Sequence, residues 1–236
     1  MALVFDIETV GDDFEKFDET TKELLTRSLR RESLEDEIFE SKLHDLKDGL
    51  GFSPLTGFIV AIGVYDTEKD KGVVYYQAKD KNEEDSEGDN FIFRPMSERD
   101  MLNSFWEGAK KYDTFVSFNG RGFDVPFLVV RSAVHSIRPS KDLLSNRYIS
   151  SQKYEAKHID LLDQLTFYGA VYRQKGTLHM WTRAFGIESP KASGVDGDDV
   201  KGLFESGKCF DIAKYNSRDL IATAKLYEKW DKFIKF

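Results

Sequence analysis

One cysteine, Cys209, in 236 residues leaves no internal disulfide and no thiolate cluster to hold the chain together. Its plain role is that of a small, partly buried side chain. Prolines number only 5, and no apolar run approaches the roughly 20 residues that span a bilayer. The N-terminus has no basic stretch followed by a long apolar one, so neither a leader nor membrane contact is expected, and the cytoplasm is the expected location. Positive charge is short too: 34 Lys and Arg against 42 Asp and Glu give −8, which at first argues against a polyanion partner. The shortage is uneven. Residues 138–191 hold nine Lys or Arg against five Asp or Glu, a balance of +4 that leaves −12 for the rest, so a polyanion would be sought there.

What is present belongs to a globular chain, with 40% hydrophobic and 14% aromatic residues, 19 of the aromatics being Phe. The length fits one domain spanning 1–236. Residues 2–6 read as a buried strand. Between 12 and 51, apolar residues at three- and four-residue spacing among many charges predict two helices, the second starting near Ser33, whose Ser-Leu-Glu-Asp run is an N-cap pattern. "GFIVAIGVYD" (57–66) and "GVVYYQA" (72–78) predict a hairpin, 79–90 a solvated acidic loop, and "FIF" (91–93) a short strand. Ser97 caps a helix reaching 112, "TFVSFN" (114–119) is a strand, and a helix follows from Asp124 to His135. Further helices are predicted over 158–168, 177–185, 198–205 and 209–234, with no internal repeat. Together these predict an α/β or α+β domain with a mixed sheet.

Carboxylates interrupt this apolar pattern at three places. In "LVFDIETV" (3–10), Asp6 and Glu8 project from one face of the strand and Ile7 from the other. Like charges so close repel unless a cation intervenes, although an Asp-x-Glu at a wet strand end would be harmless. "SFNGRGFDVPFL" (117–128) puts Asp124 at a strand-to-helix turn beside Gly120 and Gly122, where the helix dipole alone would favour an acid. "YNSRDLIATAKLY" (215–227) puts Tyr215 and Asp219 on one helix face, next to apolar positions. Each has a bland explanation, and all three together in this order make the bland explanations less economical.

In order, "FDIET", "FNGRGFD" and "YNSRD" resemble the three exonuclease motifs of the DnaQ-like 3′–5′ exonucleases, the DEDD superfamily. The resemblance runs from residue 4 to about 227 and is greatest to the stand-alone proteins related to the proofreading domain of family B DNA polymerases. The stretch 179–208, before the third motif, also looks like that group. A histidine branch of the superfamily carries His five residues before the last Asp, where this chain has Lys214; the tyrosine branch carries Tyr four before it, where this chain has Tyr215. The resemblance implies a ribonuclease H-like α/β fold with a five-stranded mixed sheet flanked by helices. The charged helical segment 12–51, inserted after the first strand, departs from the minimal domain.

Carried over residue by residue, the resemblance implies that Asp6 bridges two metal ions, that Glu8 and Asp219 hold the ion that activates water, and that Asp124 serves the second. Tyr215 would orient the attacking water, since a phenol with an ordinary pKa near 10 is a poor base. Thr9, Asn119 and Phe123 match positions near the terminal nucleotide. Carboxylates favour hard cations, so Mg²⁺ or Mn²⁺ is expected, two ions per site. The expected substrate is the 3′ end of single-stranded nucleic acid, DNA favoured over RNA. No polymerase segment lies within these residues, which leaves room for a polymerase or repair partner in trans. In 138–191, Arg147, Lys153, Lys157, Arg173, Lys175, Arg183 and Lys191 interleave with Tyr148, Tyr154, Tyr168, Tyr172 and Trp181. A few of these basic residues are expected to line the path of the strand, and most of the aromatics to be core. Asp160 and Asp163 read as solvated or capping, and the four histidines as structural or surface. Two alternatives remain open: a binding module of the same fold with little or no catalysis, which has no need of all five motif residues, and an endonuclease of the wider ribonuclease H-like group.

Overall fold

Strand β1 (Ala2–Gly11) runs well past its apolar start. Its odd residues Leu3, Phe5 and Ile7 join one buried cluster and its even residues Ala2, Val4 and Val10 another, so both faces of the strand are covered. The computed structural model describes residues 1–32, 36–78, 85–88, 90–171, 176–189 and 197–235. Within them the other strands are β2 (Gly57–Asp66), β3 (Lys71–Tyr76), β4 (Ser86–Gly88), β5 (Phe91–Pro95), β6 (Thr114–Ser117) and β7 (Lys157–Asp160). They form one sheet in the order β4-β5-β3-β2-β1-β6-β7. The hairpin β2-β3 and the pairs β1-β2 and β4-β5 are antiparallel, while β1-β6, β6-β7 and β3-β5 are parallel.

The sheet therefore has seven strands, not the five expected. β4 lies in the acidic run 79–90, where charge hides a three-residue edge strand; residues 79–84 and 89 lie outside the described residues. β7 falls at the start of the helix expected over 158–168. Its four residues pair in parallel with β6, and Asp160 then accepts the Leu162 and Asp163 N–H groups to start helix α5, so the helix begins later than its apolar spacing suggests.

The helices before it are α1 (Glu19–Glu32), α2 (Asp36–Gly49), α3 (Glu98–Ala109) and α4 (Asp124–Val134); α5 (Leu161–Leu165), α6 (Leu178–Ala184), α7 (Val200–Glu205) and α8 (Cys209–Phe233) follow. The two expected inserted helices are α1 and α2, and the cap expected at Ser33 lies outside the described residues. Ser97 caps α3 as expected, accepting the Asp100 N–H and donating to the Asp100 carboxylate at 2.6 Å. Helix α8 crosses β1, β2 and β3 on one face of the sheet, with α6 and α7 against it; α3 and α4 cover the other face. Among the described residues no helix is long and apolar enough to cross a membrane.

The β1-β2 register slips by one residue between Glu8 and Thr9, leaving Val60 as the extra residue of a bulge on β2. Val60 and its neighbour Ala61 both enter the cluster beneath α8. The backbone groups freed there find partners: Gln77 donates to the Ile59 carbonyl at 2.6 Å, and the Ile59 N–H donates to Glu98 Oε1 at 2.9 Å. Glu98 also accepts two bonds from Arg131, at 2.9 and 2.7 Å, and meets His135 Nε2 at 2.8 Å. One carboxylate thus ties α3, α4 and the bulge together.

Burial alone would raise the Glu98 pKa, but the bonds from Arg131, the Ile59 N–H and His135 outweigh it and hold the carboxyl below its ordinary value. A depressed carboxyl stabilises the fold above its unfolded pKa, and that contribution fades as pH falls through the folded value. Glu98→Gln is expected to cost about 2–3 kcal/mol at pH 7, because Arg131 is left without its partner. The gap from wild type should shrink towards pH 3, which urea denaturation at both pH values measures.

Candidate active site

β1 brings Asp6 and Glu8 to the face of the sheet that α8 covers, and α8 answers with Tyr215, Asn216 and Asp219 at three- and four-residue spacing. Carboxylate oxygens of Asp6, Glu8 and Asp219 all lie within 4.8 Å of one another. Glu8 and Asp219 are each only 8% exposed, and Asp6 is half-buried. Asp124, at the first turn of α4, stands at the edge of this cluster. Its Oδ1 accepts the Ile7 N–H at 3.1 Å, just beyond Val4, where the pairing of β1 with β6 stops.

The electrostatics follow from this crowding. Burial, then the charges of Asp124, Glu8 and Asp219, raise the Asp6 pKa well above its ordinary value. Burial and the Asp219 charge raise Glu8 likewise, opposed by a hydrogen bond from Asn216. Burial pushes Asp124 up to about 7 against the lowering effect of the Ile7 N–H. Burial raises Tyr215 above the ordinary phenol value, with Asp219, Glu8 and Asp6 adding to the shift and a hydrogen bond joining its hydroxyl to Asp219. Among the described residues no ion pair reaches Asp6, Glu8 or Asp124, so the repulsion meets no lysine or arginine.

Asn216 is a member of this cluster that sequence reading passes over. Fully buried, it donates from Nδ2 to Asp6 Oδ2 at 2.8 Å and also serves Glu8, bridging the pair on β1 from α8. Its Oδ1 is buried without a hydrogen-bond partner. Its place in "YNSRD", one residue after Tyr215 and three before Asp219, was the available signal. Lys214, at the position of the other branch's histidine, is exposed and paired with Asp211 at 2.7 Å.

The loop that delivers Asp124 is held from below by Asp160, which is buried and not solvated, and which accepts the Asn119 and Arg121 N–H groups, each at 2.9 Å. Asn119 sits in the left-handed region, at φ +62°, a conformation that asparagine tolerates. Next to this loop, burial lowers the His158 pKa to about 4. The ring stays neutral, with Nε2 2.7 Å from the Ser117 hydroxyl and Nδ1 3.0 Å from the Leu143 carbonyl.

Of the positions matched to a terminal nucleotide, Asn119 is exposed and Phe123 half-buried, while Thr9 commits its hydroxyl to the Gly51 carbonyl at 2.7 Å. In the basic segment, Arg147 donates to Asp163 from Nε at 2.9 Å and Lys157 lies over Tyr154. Trp181 packs on the core as expected, whereas Tyr148 and Tyr154 are exposed. Tyr172, Arg173, Lys175 and Lys191 lie outside the described residues. Cys209 is buried.

Residues 58–234 match a family model described as "Predicted 3'-5' exonuclease related to the exonuclease domain of PolB". The match begins at β2 and so leaves out β1 and its two carboxylates. DNA polymerase 1 of Sulfurisphaera ohwakuensis is 24% identical over 247 residues, which cover 94% of this chain and 26% of that protein. The solved structure of the family B DNA polymerase from the hyperthermophilic archaeon Pyrobaculum calidifontis is similar with a TM-score of 0.57 at 17% identity, covering 97% of this chain and 24% of that one. The chain spans about a quarter of the length of each. The structural likeness establishes the ribonuclease H-like fold.

The close approach of α8 to β2 depends on Gly63. A Cβ there would lie 1.9 Å from Asn216 Oδ1 and 2.6 Å from Leu220 Cδ1. Gly63→Ala is expected to lower stability by about 1–3 kcal/mol, as overpacked cores do. Gly108→Ala on α3, where a Cβ meets open space, should instead raise it by up to about 1 kcal/mol. Urea denaturation of the two variants checks the contrast.

Proposed function

The chain belongs to the predicted 3′–5′ exonucleases related to the exonuclease domain of PolB, and from that premise we propose that it removes nucleotides from the 3′ end of single-stranded nucleic acid, DNA in preference to RNA. The observation that carries the reading is the convergence of Asp6, Glu8 and Asp219 beside Tyr215. An all-oxygen donor set, buried, crowded with like charge and free of Cys or His, suits a hard divalent cation such as Mg²⁺ or Mn²⁺. Two such ions, one held by Asp6, Glu8 and Asp219 and a second by Asp6 and Asp124, would supply a water ionised near neutral pH and offset charge on the attacking and leaving oxygens.

The chain's own groups do the rest by position. The Tyr215 phenol keeps its proton throughout the neutral range, so it orients the attacking water through its oxygen instead of removing a proton from it. Asn216 fixes the Asp6 carboxylate from above. Asp124 pins the start of α4 to β1 through Ile7. The exposed Asn119 and half-buried Phe123 border the site where the last nucleotide would lie. We read residues 1–236 as a single exonuclease domain carrying 12–51 as an insertion, with any polymerase or repair partner acting in trans.

A 5′-labelled single strand incubated with the protein and Mg²⁺ or Mn²⁺ should give a ladder shortening from its 3′ end, and Asp6→Ala should abolish it. A closed circular strand should survive; its cleavage, or tight binding with no product in either ion, would contradict the reading. Tyr215→Phe should lose less than the ~10²–10⁴-fold that a proton-transfer residue contributes. Its pH–rate profile should keep the wild-type shape.

A further inference from the structure

The helical insertion ends in a 3₁₀ turn, Leu50–Phe52, that is clamped to the far end of β1. The Gly51 carbonyl accepts the Thr9 hydroxyl at 2.7 Å, Thr56 donates its hydroxyl to the Leu50 carbonyl at 2.8 Å, and the Asp12 N–H donates to the Thr56 carbonyl at 2.8 Å. A Cβ on Gly51 would lie 3.0 Å from the Gly11 nitrogen, so a larger residue there would push the two segments apart. The turn is thus a fixed part of the site's rim. Yet the turn and the residues just after it hold two large apolar side chains out to solvent, Phe52 at 72% and Leu55 at 81% exposed. Phe52 meets Phe123 edge to face at 6.5 Å, and Phe123 leans on the buried Phe127 at 5.4 Å. A line of rings therefore runs from the core to the surface, beginning beside Asp124 and ending on the insertion. Phe52 stands between the two elements that carry the acids: its backbone neighbour is bonded next to Glu8, and its ring touches the residue before Asp124.

We propose that Phe52 is a specificity-determining contact of this site, a platform on which the unpaired base at a 3′ end stacks together with Phe123. The inference rests on the nuclease reading above and deepens it. An apolar patch contiguous with a polar site marks a surface that something covers, and charge decides between a base and a phosphate as the occupant. The cavity of about 550 Å³ behind Phe52 is lined by Asp45, Asp48 and Glu205, with Lys201 the basic member of its lining and itself bonded to Asp48 at 2.9 Å. That wall repels phosphate and leaves a neutral aromatic base as the group that fits. A base still paired in a duplex is held in its stack by its partner and cannot turn out onto the platform without the cost of unpairing and unstacking, so the platform selects single or frayed ends. Stacking on an aromatic side chain tolerates every base, and the selection is accordingly for an unpaired end and not for a sequence.

The test pairs a change in the protein with a change in the substrate. Steady-state hydrolysis is measured for wild type, Phe52→Ala and Phe52→Trp on two 5′-labelled single strands, one ordinary and one abasic at its 3′-terminal nucleotide. On the ordinary strand, Phe52→Ala should raise KM about tenfold or more with kcat changed little, and Phe52→Trp should restore KM. On the abasic strand the wild type should already show the raised KM, and Phe52→Ala should add nothing to it. Equal KM shifts on both strands, or no shift on either, would overturn the platform while leaving the nuclease reading intact. A wild-type chain that cleaves neither strand would overturn both.

Discussion

Three carboxylates with oxygens inside 4.8 Å of one another, under a helix and away from any lysine or arginine described for Asp6 and Glu8, repel in a place where water screens little. Holding them there requires a support that cannot give way. Alternation along β1 puts Leu3, Phe5 and Ile7 into one core, so Asp6 and Glu8 must face the other. The missing side chain at Gly63 lets α8 come down onto β2, and Asn216 meets Asp6 at 2.8 Å from the helix side. The buried glutamate Glu98, at the start of α3, supports the bulge next to Glu8 through the Ile59 N–H. The same repulsion that burdens the fold makes the cluster attractive to a divalent cation, so stability and proposed chemistry pull on one set of atoms.

The sequence made the carboxylates legible and left their support unseen. Asp6, Glu8, Asp124, Tyr215 and Asp219 stand in three short stretches whose spacing is local, and the structure brings all three stretches to one end of β1. Asn216 lay in plain view inside the third stretch, but its contact with Asp6 spans 210 positions and has no local pattern. Asp160 caps α5, one of the two roles its sequence position suggests, and only the fold shows it buried and also holding the turn from Asn119 to Arg121. The elements fared similarly. Long periodic segments such as α3, α4 and α8 are where their apolar spacing predicts. The four-residue β7 is a strand through its pairing with the distant β6 and not through any feature of its own, while the charge of the acidic run hides β4, whose three residues pair with the neighbouring β5.

The segment 12–51 first appears as an acidic interruption of a smaller fold. In the structure its last turn is bonded to Thr9, one residue past the carboxylate pair, and so belongs to the rim of the site. The negative charge of the chain then has a local sense: acids line the cavity beneath that rim, while basic residues such as Arg147 and Lys157 lie in the segment that crosses the far edge of the sheet. Two of those cations are already engaged, Arg147 with Asp163 and Lys157 with Tyr154.

The claim on which the account turns is that Asp6, Glu8 and Asp219 together hold a divalent cation. Titration calorimetry of Mn²⁺ into the wild-type protein and into Asp219→Asn tests it without any substrate. Saturable binding by the wild type that is lost in the variant is the predicted result; an identical isotherm for both, or no binding by either, would contradict it.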